Sequence, residues 1–126
     1  MKLIQNRPVF LNLLRIRQPV TAVLSILHRI TGVLMVLLLP VLIYFLHISL
    51  NSAEGFAHAT DLLDSKMARG IGVLGSWVLA HHLLAGIRFL ILDFDVGVTR
   101  NVARKTAWLV NGSAVLVALV VARMLF

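Results

Sequence analysis

The sequence predicts an all-α integral membrane protein with three transmembrane helices. Its 126 residues are 60% hydrophobic and 13% charged, whereas a soluble domain has roughly 25% charged and 45–50% apolar residues. So few charges could not cover the surface of a soluble monomer, and the mean hydropathy of +0.95 agrees with this. The charges also leave three long uncharged stretches. We therefore expect a single membrane-anchor domain over residues 1–126, with the bilayer as its main solvent.

The first span is expected at about residues 20–48. Residues 1–19 should form an irregular basic arm, and Pro19 is a residue that suits the start of a helix. A helix over 20–48 would be roughly 43 Å long, which exceeds a hydrocarbon core of about 30 Å. Its first turns should therefore lie in the membrane interface. Pro40 is expected to kink this helix, because proline removes a backbone donor in mid-span.

The second and third spans are expected at about 70–92 and 105–125. No formally charged residue occurs from Gly70 to Ile87, and 17 residues separate Lys105 from Arg123. A membrane-spanning helix needs about 20 residues. The third stretch is short, but the long side chain of Arg123 can reach the interface and extend it.

Basic residues predict the orientation. Residues 1–29 hold five basic residues and no acid, the loop 88–105 holds four basic and two acidic residues, and the loop 51–69 holds two basic and three acidic ones. The amino terminus and the second loop should therefore be cytoplasmic, and the first loop and carboxyl terminus periplasmic. We expect no cleavable signal peptide, and a bacterial inner-membrane location. The net charge is +7. Its basic residues flank apolar segments, which indicates that they set the membrane topology and do not bind nucleic acid.

The interfacial turns of the first helix carry a polar stripe. Thr21, Ser25 and Arg29 are spaced i, i+4, i+8 and share one face. They could donate hydrogen bonds to a carbonyl oxygen of a lipophilic ligand. The alternative is that Arg29 anchors the helix to lipid phosphate while Ser25 bonds its own backbone. His28 lies about 100° away around the helix and does not fully share this stripe.

Two adjacent histidines, His81 and His82, lie in the second uncharged stretch, where a polar side chain needs a compensating partner. By helical spacing, one face carries Gly72, Gly75, Leu79, His82 and Gly86. Small residues at this spacing indicate either close helix packing, with His82 hydrogen-bonded to a neighbour, or a flat macrocycle whose iron His82 ligates. His81 points about 100° away, so at most one of the two ligates a given iron. The absence of cysteine excludes iron–sulfur ligation by this chain.

Two motifs resemble a known family. The run Ser25-Ile26-Leu27-His28-Arg29-Ile30-Thr31-Gly32, preceded by Arg7-Pro8 and Pro19-Val20-Thr21-Ala22, is similar to the signature of the cytochrome b556 subunits of succinate dehydrogenase. These are the larger membrane anchors of respiratory complex II. The second motif is His82-Leu83-Leu84-Ala85-Gly86-Ile87-Arg88, with Asp93 shortly after it. The resemblance runs from Arg7 through the third span. The chain departs from it at Phe89, where a second histidine is frequent, and at His81, where an aromatic residue is common.

The resemblance implies specific roles. His82 would be an axial ligand of haem b, with the opposite ligand on a smaller anchor subunit packed beside this chain. Ser25 and Arg29 would line the ubiquinone site, and His28 and Arg29 would lie near the haem propionates. Arg88, at the same membrane boundary, could also pair with a propionate.

Partner subunits would carry the other cofactors that the resemblance implies. FAD would lie in a flavoprotein and the clusters in an iron–sulfur subunit, and this chain, with no catalytic residue of its own, would help pass electrons from succinate to quinone. The complex would link the tricarboxylic acid cycle to electron transport. Alternatives are the anchor of a quinol:fumarate reductase and a non-haem transport or structural subunit.

Overall fold

Three of the four helices that the structure describes are long and apolar enough to cross a membrane. The computed structural model describes residues 16–126, so most of the expected basic arm, including Arg7 and Pro8, lies outside the described residues. The helices are α1 (Val20–Asn51), α2 (Ala53–Asp64), α3 (Lys66–Asp93) and α4 (Arg100–Leu125). The spanning candidates are α1, α3 and α4. This confirms the predicted all-α fold with three membrane-spanning helices.

Helix α1 begins directly after Pro19, whose carbonyl oxygen accepts hydrogen bonds from the backbone N–H groups of Ala22 and Val23 at 2.9 and 3.1 Å. The helix then continues through Pro40 to Asn51. Its most apolar stretch contacts little else in the chain: Val36 and Leu37 are 70% and 65% exposed. In a membrane, this surface meets lipid or another subunit, because no water is present there to solvate it.

Helix α2 occupies much of the segment that the sequence predicts as the first loop. Its N-cap, Ser52, accepts a hydrogen bond from the backbone N–H of Gly55 at 2.9 Å. Gly55 lies so close to α1 that a Cβ there would clash with the carbonyl oxygen of Ile48. Ser65 then caps α3 by accepting from the N–H of Ala68 at 3.2 Å. These caps make a short helix between two spans, which a search for long apolar stretches does not detect.

Helix α3 packs between α1 and α4 and runs antiparallel to both. The C-terminal half of α3 contacts the N-terminal part of α1, while Gly72, near its start, faces Leu125 at the end of α4. A small core forms where the three helices meet, and its fully buried members include Leu24, Ala85 and Ala107. Alanine at such positions lets helix backbones approach closely in a membrane. The ends of α1, α3 and α4 that carry most of the basic residues are therefore on one side.

Candidate functional site

His82 lies at the contact between α3 and α1, and its hydrogen bonds select one tautomer of the neutral ring. Nδ1 lies 3.1 Å from the backbone carbonyl oxygen of His28 and 3.3 Å from Oγ1 of Thr31. A carbonyl oxygen only accepts, so Nδ1 carries the proton and donates it to this oxygen. The neutral ring then has its lone pair on Nε2, which forms no hydrogen bond with residues 16–126. An imidazole held in this way has a nitrogen available for a metal.

A second histidine ring covers one side of His82. The rings of His28 and His82 stack with their centroids 4.2 Å apart and their planes 12° apart. The ring of Phe89 meets His28 edge-on, with centroids 5.2 Å apart. Both histidines are half-buried. The departure from the family pattern at Phe89 thus places an aromatic ring against His28, where the family often has another imidazole.

Two glycines make room for these rings, one on each helix. A Cβ on Gly32 would lie 3.0 Å from Cε1 of His82, and a Cβ on Gly86 would lie 3.5 Å from Nε2 of His28. The Gly32 position is tighter than an ordinary van der Waals contact, so any larger residue there would require the His82 ring or α1 to shift by a few tenths of an ångström. Gly32 belongs to the first of the two sequence motifs, and its position four residues after His28 was the signal that it shares a face with that histidine.

The remaining small residues of the predicted His82 face do not form one surface. A Cβ on Gly75 would lie 3.9 Å from Cδ2 of Leu38 on α1. A Cβ on Gly72 would lie 3.6 Å from Cδ1 of Leu125 on α4. Leu79, between Gly75 and His82 on the predicted face, is 56% exposed. Helix packing therefore accounts for Gly72 and Gly75, while Gly86 adjoins the paired histidines.

Ser25 and Arg29 lie on α1 beside the histidines but outside the contact with α3. Leu24 and Thr31 are buried, whereas Ser25 is half-buried and Arg29 is exposed. Neither the Ser25 hydroxyl nor the Arg29 guanidinium forms a hydrogen bond within residues 16–126. In contrast, the Thr31 hydroxyl donates to the backbone of its own helix, with the oxygens of Leu27 and His28 each 2.9 Å away. The alternative in which Ser25 bonds its own backbone is thus not adopted, and its hydroxyl has no partner among the described residues.

His81 faces α4, in a different environment from His82. It is fully buried, and its Nε2 lies 3.1 Å from Oδ1 of Asn111. The ring of Trp77 lies nearby, with centroids 5.5 Å apart. Asn111 was not among the residues predicted to matter, although an amide amid the apolar residues of the third span was a signal that His81 has a polar neighbour.

Arg88 also turns toward α4. Its Nε donates to Oγ1 of Thr106 and its Nη2 to the carbonyl oxygen of Ala103, each at 3.0 Å. Only 7% of its surface is exposed. These bonds hold Arg88 on the α4 side of α3, whereas His82 faces α1. The structure therefore places Arg88 and His82 on different sides of α3, and the pairing of Arg88 with a haem carboxylate stays a prediction.

Comparison with known proteins shows the family. Residues 4–122 match the family of succinate dehydrogenase/fumarate reductase transmembrane subunits. The chain belongs to this family. It is therefore a multi-pass membrane subunit of the succinate dehydrogenase/fumarate reductase type, which confirms the resemblance predicted from the two motifs.

Two curated relatives of this family member carry the same name, succinate dehydrogenase cytochrome b556 subunit. The protein of Coxiella burnetii is 41% identical over 92 residues, which cover 70% of this chain and 71% of that protein. The protein of Paracoccus denitrificans is 35% identical over 115 residues, which cover 90% of this chain and 88% of that protein. The similarity thus extends over most of both relatives.

Proposed function

We propose that this chain is the larger membrane anchor of a succinate dehydrogenase, that it supplies an axial ligand of haem b through His82, and that it forms part of a ubiquinone-reduction site. The observation that carries this proposal is the hydrogen bond from Nδ1 of His82 to the carbonyl oxygen of His28, which leaves Nε2 with a lone pair. The cytochrome b556 names of both relatives support the same conclusion.

The residues around His82 fit a haem. A neutral imidazole is a normal axial ligand of haem iron, and ligating histidines commonly donate their other ring N–H to a backbone carbonyl. The Thr31 oxygen, 3.3 Å from Nδ1, restrains the ring further, and Gly32 lets α1 close over it. When bound, haem b acts as a one-electron carrier. His28, at this contact, and Arg29, next to it on α1, would hold the haem carboxylates, and a smaller anchor subunit would supply a second ligand.

Ser25 and Arg29 form this chain's part of the ubiquinone site. The half-buried Ser25 hydroxyl donates a hydrogen bond to one carbonyl oxygen of the quinone. The exposed Arg29 guanidinium stabilises the negative charge that develops on this oxygen as electrons arrive. Reduction of the quinone to the quinol consumes two electrons and two protons. The electrons come from succinate and pass through the FAD of a flavoprotein and the clusters of an iron–sulfur subunit. These two proteins are partner subunits of this chain.

The proposed location is the bacterial inner membrane, with the amino terminus cytoplasmic and the carboxyl terminus periplasmic. One end of the helix bundle includes the start of α1 and the α3–α4 turn. Five basic residues lie toward this end: Arg29, Arg88, Arg100, Arg104 and Lys105. Basic residues favour the cytoplasmic side. Ser25 and Arg29 lie at this end too, within reach of soluble partner subunits that bring electrons from the cytoplasm.

Haem content tests the proposal directly. In the purified complex, His82→Leu should abolish or strongly shift the reduced-minus-oxidised band of low-spin haem b, because leucine cannot ligate iron. His81→Leu is the matched control: the neighbouring histidine faces α4, and this variant should keep the band of the wild-type complex. Haem is expressed per mole of assembled complex, so that differences in yield do not enter. An unaltered band in His82→Leu, or no haem in the wild type, would refute the assignment.

Two other functions stay open for the same fold. An anchor of a quinol:fumarate reductase would run the reaction in the opposite direction. Comparing turnover in both directions, with ubiquinone and naphthoquinone substrates, distinguishes it from the succinate dehydrogenase that the names of the two relatives favour. A non-haem transport or structural subunit would purify without a Soret band.

A further inference from the structure

An apolar groove runs between α3 and α4 at the end that carries their connecting turn. Its volume is about 290 Å³, near the lower limit of roughly 300 Å³ for small-molecule pockets. The lining is apolar except for Arg88 and Thr106, and its apolar members include Leu84, Ile91, Val102 and Leu109. The residues assigned to haem and quinone do not line it. The groove therefore suits a hydrocarbon chain and is separate from the proposed site.

Arg88 brings a positive charge to this groove without a matching negative one. Its two hydrogen-bond acceptors, Thr106 and the carbonyl of Ala103, are neutral, and Nη1 forms no hydrogen bond within residues 16–126. Within residues 16–126, the one ion pair is between Arg69 and Asp64. No carboxylate of these residues therefore lies within ion-pair distance of Arg88. The Phe89 ring, 5.7 Å from Cζ, offers a weak cation–π contact. Burying an arginine to 7% exposure is costly unless an anion pairs with it.

The position of Arg88 along α3 suggests which anion. It ends the uncharged stretch from Gly70 to Ile87 and lies four residues, or about 6 Å of helix rise, before the end of the expected span at residue 92. Its long side chain is therefore near the depth at which hydrocarbon gives way to lipid phosphate. Lys105 is exposed on α4, three residues after Val102 and four before Leu109, which places it on the rim of the groove. The exposed acids Asp93 and Asp95 flank the turn, but neither pairs with Arg88. A ligand with a hydrocarbon chain and one anionic head would satisfy both the groove and the arginine.

We propose that this groove binds an anionic phospholipid, with one acyl chain between α3 and α4 and the phosphate accepting a hydrogen bond from Nη1 of Arg88. Lys105 adds a second positive charge at the rim. The lipid would fill the gap between two helices that meet closely elsewhere, at His81 and Asn111. Because the residues involved have no part in haem ligation or quinone reduction, this site stands or falls independently of the proposed function.

Native mass spectrometry of the purified complex tests the site. The complex is titrated with dioleoyl phosphatidylglycerol and, separately, with dioleoyl phosphatidylcholine, which differ in head-group charge and share their acyl chains. The wild type should bind one phosphatidylglycerol in preference to phosphatidylcholine. Arg88→Gln should reduce that preference by roughly tenfold or more, because it removes a charged hydrogen-bond donor. Val102→Phe, which keeps Arg88 but fills the groove, should also abolish the tight site, whereas Val120→Phe on exposed α4 surface should not.

The outcomes separate the occupants. Equal binding of the two lipids by the wild type, or unchanged selectivity in both groove variants, overturns the proposal. Displacement of the bound lipid by short-chain ubiquinone overturns it in favour of a quinone. Loss of haem from Arg88→Gln with unchanged lipid selectivity would assign the anion to a haem carboxylate instead. If Arg88→Gln does not assemble, Val102→Phe against Val120→Phe decides the question.

Discussion

Nε2 of His81 lies 3.1 Å from Oδ1 of Asn111, so one hydrogen bond joins α3 to α4 inside the bundle. Because Oδ1 accepts, Nε2 carries the proton, and the buried Nδ1 has no hydrogen-bond partner within residues 16–126. The bond orients His81 toward α4, and the adjacent His82, about 100° around the helix, faces α1, where His28 and Thr31 hold it. A polar pair in an apolar contact specifies one register, because any other register leaves both groups unpaired.

Replacing one member of this pair should destabilise the protein more than replacing both. Asn111→Leu leaves the Nε2–H of His81 buried without an acceptor. We expect the free energy of unfolding to fall by about 1 kcal/mol, between the ~0.6 kcal/mol average for cross-helix hydrogen bonds in membranes and the ~1–3 kcal/mol for an orphaned buried donor in soluble proteins. Stepwise unfolding of the complex in denaturing detergent measures this change.

The double variant His81→Phe/Asn111→Leu is the control for that prediction. With both polar groups gone, the double variant should be more stable than Asn111→Leu alone, since no buried donor is left unpaired. A double-mutant cycle with His81→Phe isolates the coupling between the two residues. Additive effects would show that His81 and Asn111 do not interact.

Gly32→Ala should destabilise the α1–α3 contact. The added Cβ would lie 3.0 Å from Cε1 of His82, and that ring is fixed by its hydrogen bond to His28, so either the ring or α1 must shift. Alanine in a helix is otherwise favoured over glycine by about 1 kcal/mol. Gly112→Ala is the matched control, because nothing lies within 4 Å of its Cβ position on α4. Thermal unfolding should thus show opposite signs for the two variants. Equal stabilisation of both would mean that α1 does not pack this closely on His82.

Arg29→Ala should lower quinone reductase activity while succinate oxidation with a soluble dye persists. The reason is that Arg29 is exposed and makes no ion pair within residues 16–126, so its removal leaves the fold intact but takes away a charge that stabilises the reduced quinone oxygen. Loss of one such donor costs roughly 10²–10³ in turnover in the best-studied oxyanion sites. Arg100→Ala, which removes an exposed arginine at the start of α4, controls for net charge and should leave both activities unchanged.

Ser25→Ala tests the second group of the same site. We expect the KM for quinone to rise, because a hydroxyl free of intrahelical bonding is replaced by a methyl group. Ser49→Ala is the matched control, since the Ser49 hydroxyl already donates to the carbonyl oxygen of Leu46 at 2.9 Å, far along α1. Identical quinone kinetics in Ser25→Ala and the wild type would remove Ser25 from the site.

The sequence predicts the spanning helices well because charge and proline dominate their placement. Pro19 precedes the first helical residue, Val20, and the uncharged stretches correspond to helices whose ends carry the charges. Helix α2 was not predicted, because its stability depends on the Ser52 cap and on the close approach of Gly55 to Ile48. Neither feature changes the hydropathy pattern.

The candidate site was only partly predictable for a different reason. Helical spacing gives the face on which a residue lies, and it correctly separated His81 from His82. It does not give the neighbour behind that face: Asn111 was missed as the partner of His81, and Thr106 was missed as the partner of Arg88. Helix–helix contacts between residues far apart in sequence decide such partners.

Single cysteines should establish the orientation of the chain. The sequence has no native cysteine, so one introduced thiol reports alone. Asn101→Cys, exposed at the start of α4 in the second loop, should be shielded from a membrane-impermeant maleimide in intact cells and should react after the membrane is opened. Ala57→Cys, exposed on α2, should react in intact cells, because the acidic first loop is expected on the periplasmic side. Once the membrane is permeable, both thiols should be accessible, and their labelling in that state measures the intrinsic reactivity of each. Reversed labelling would place the quinone-site residues Ser25 and Arg29 on the periplasmic side, where a cytoplasmic electron donor could not reach them.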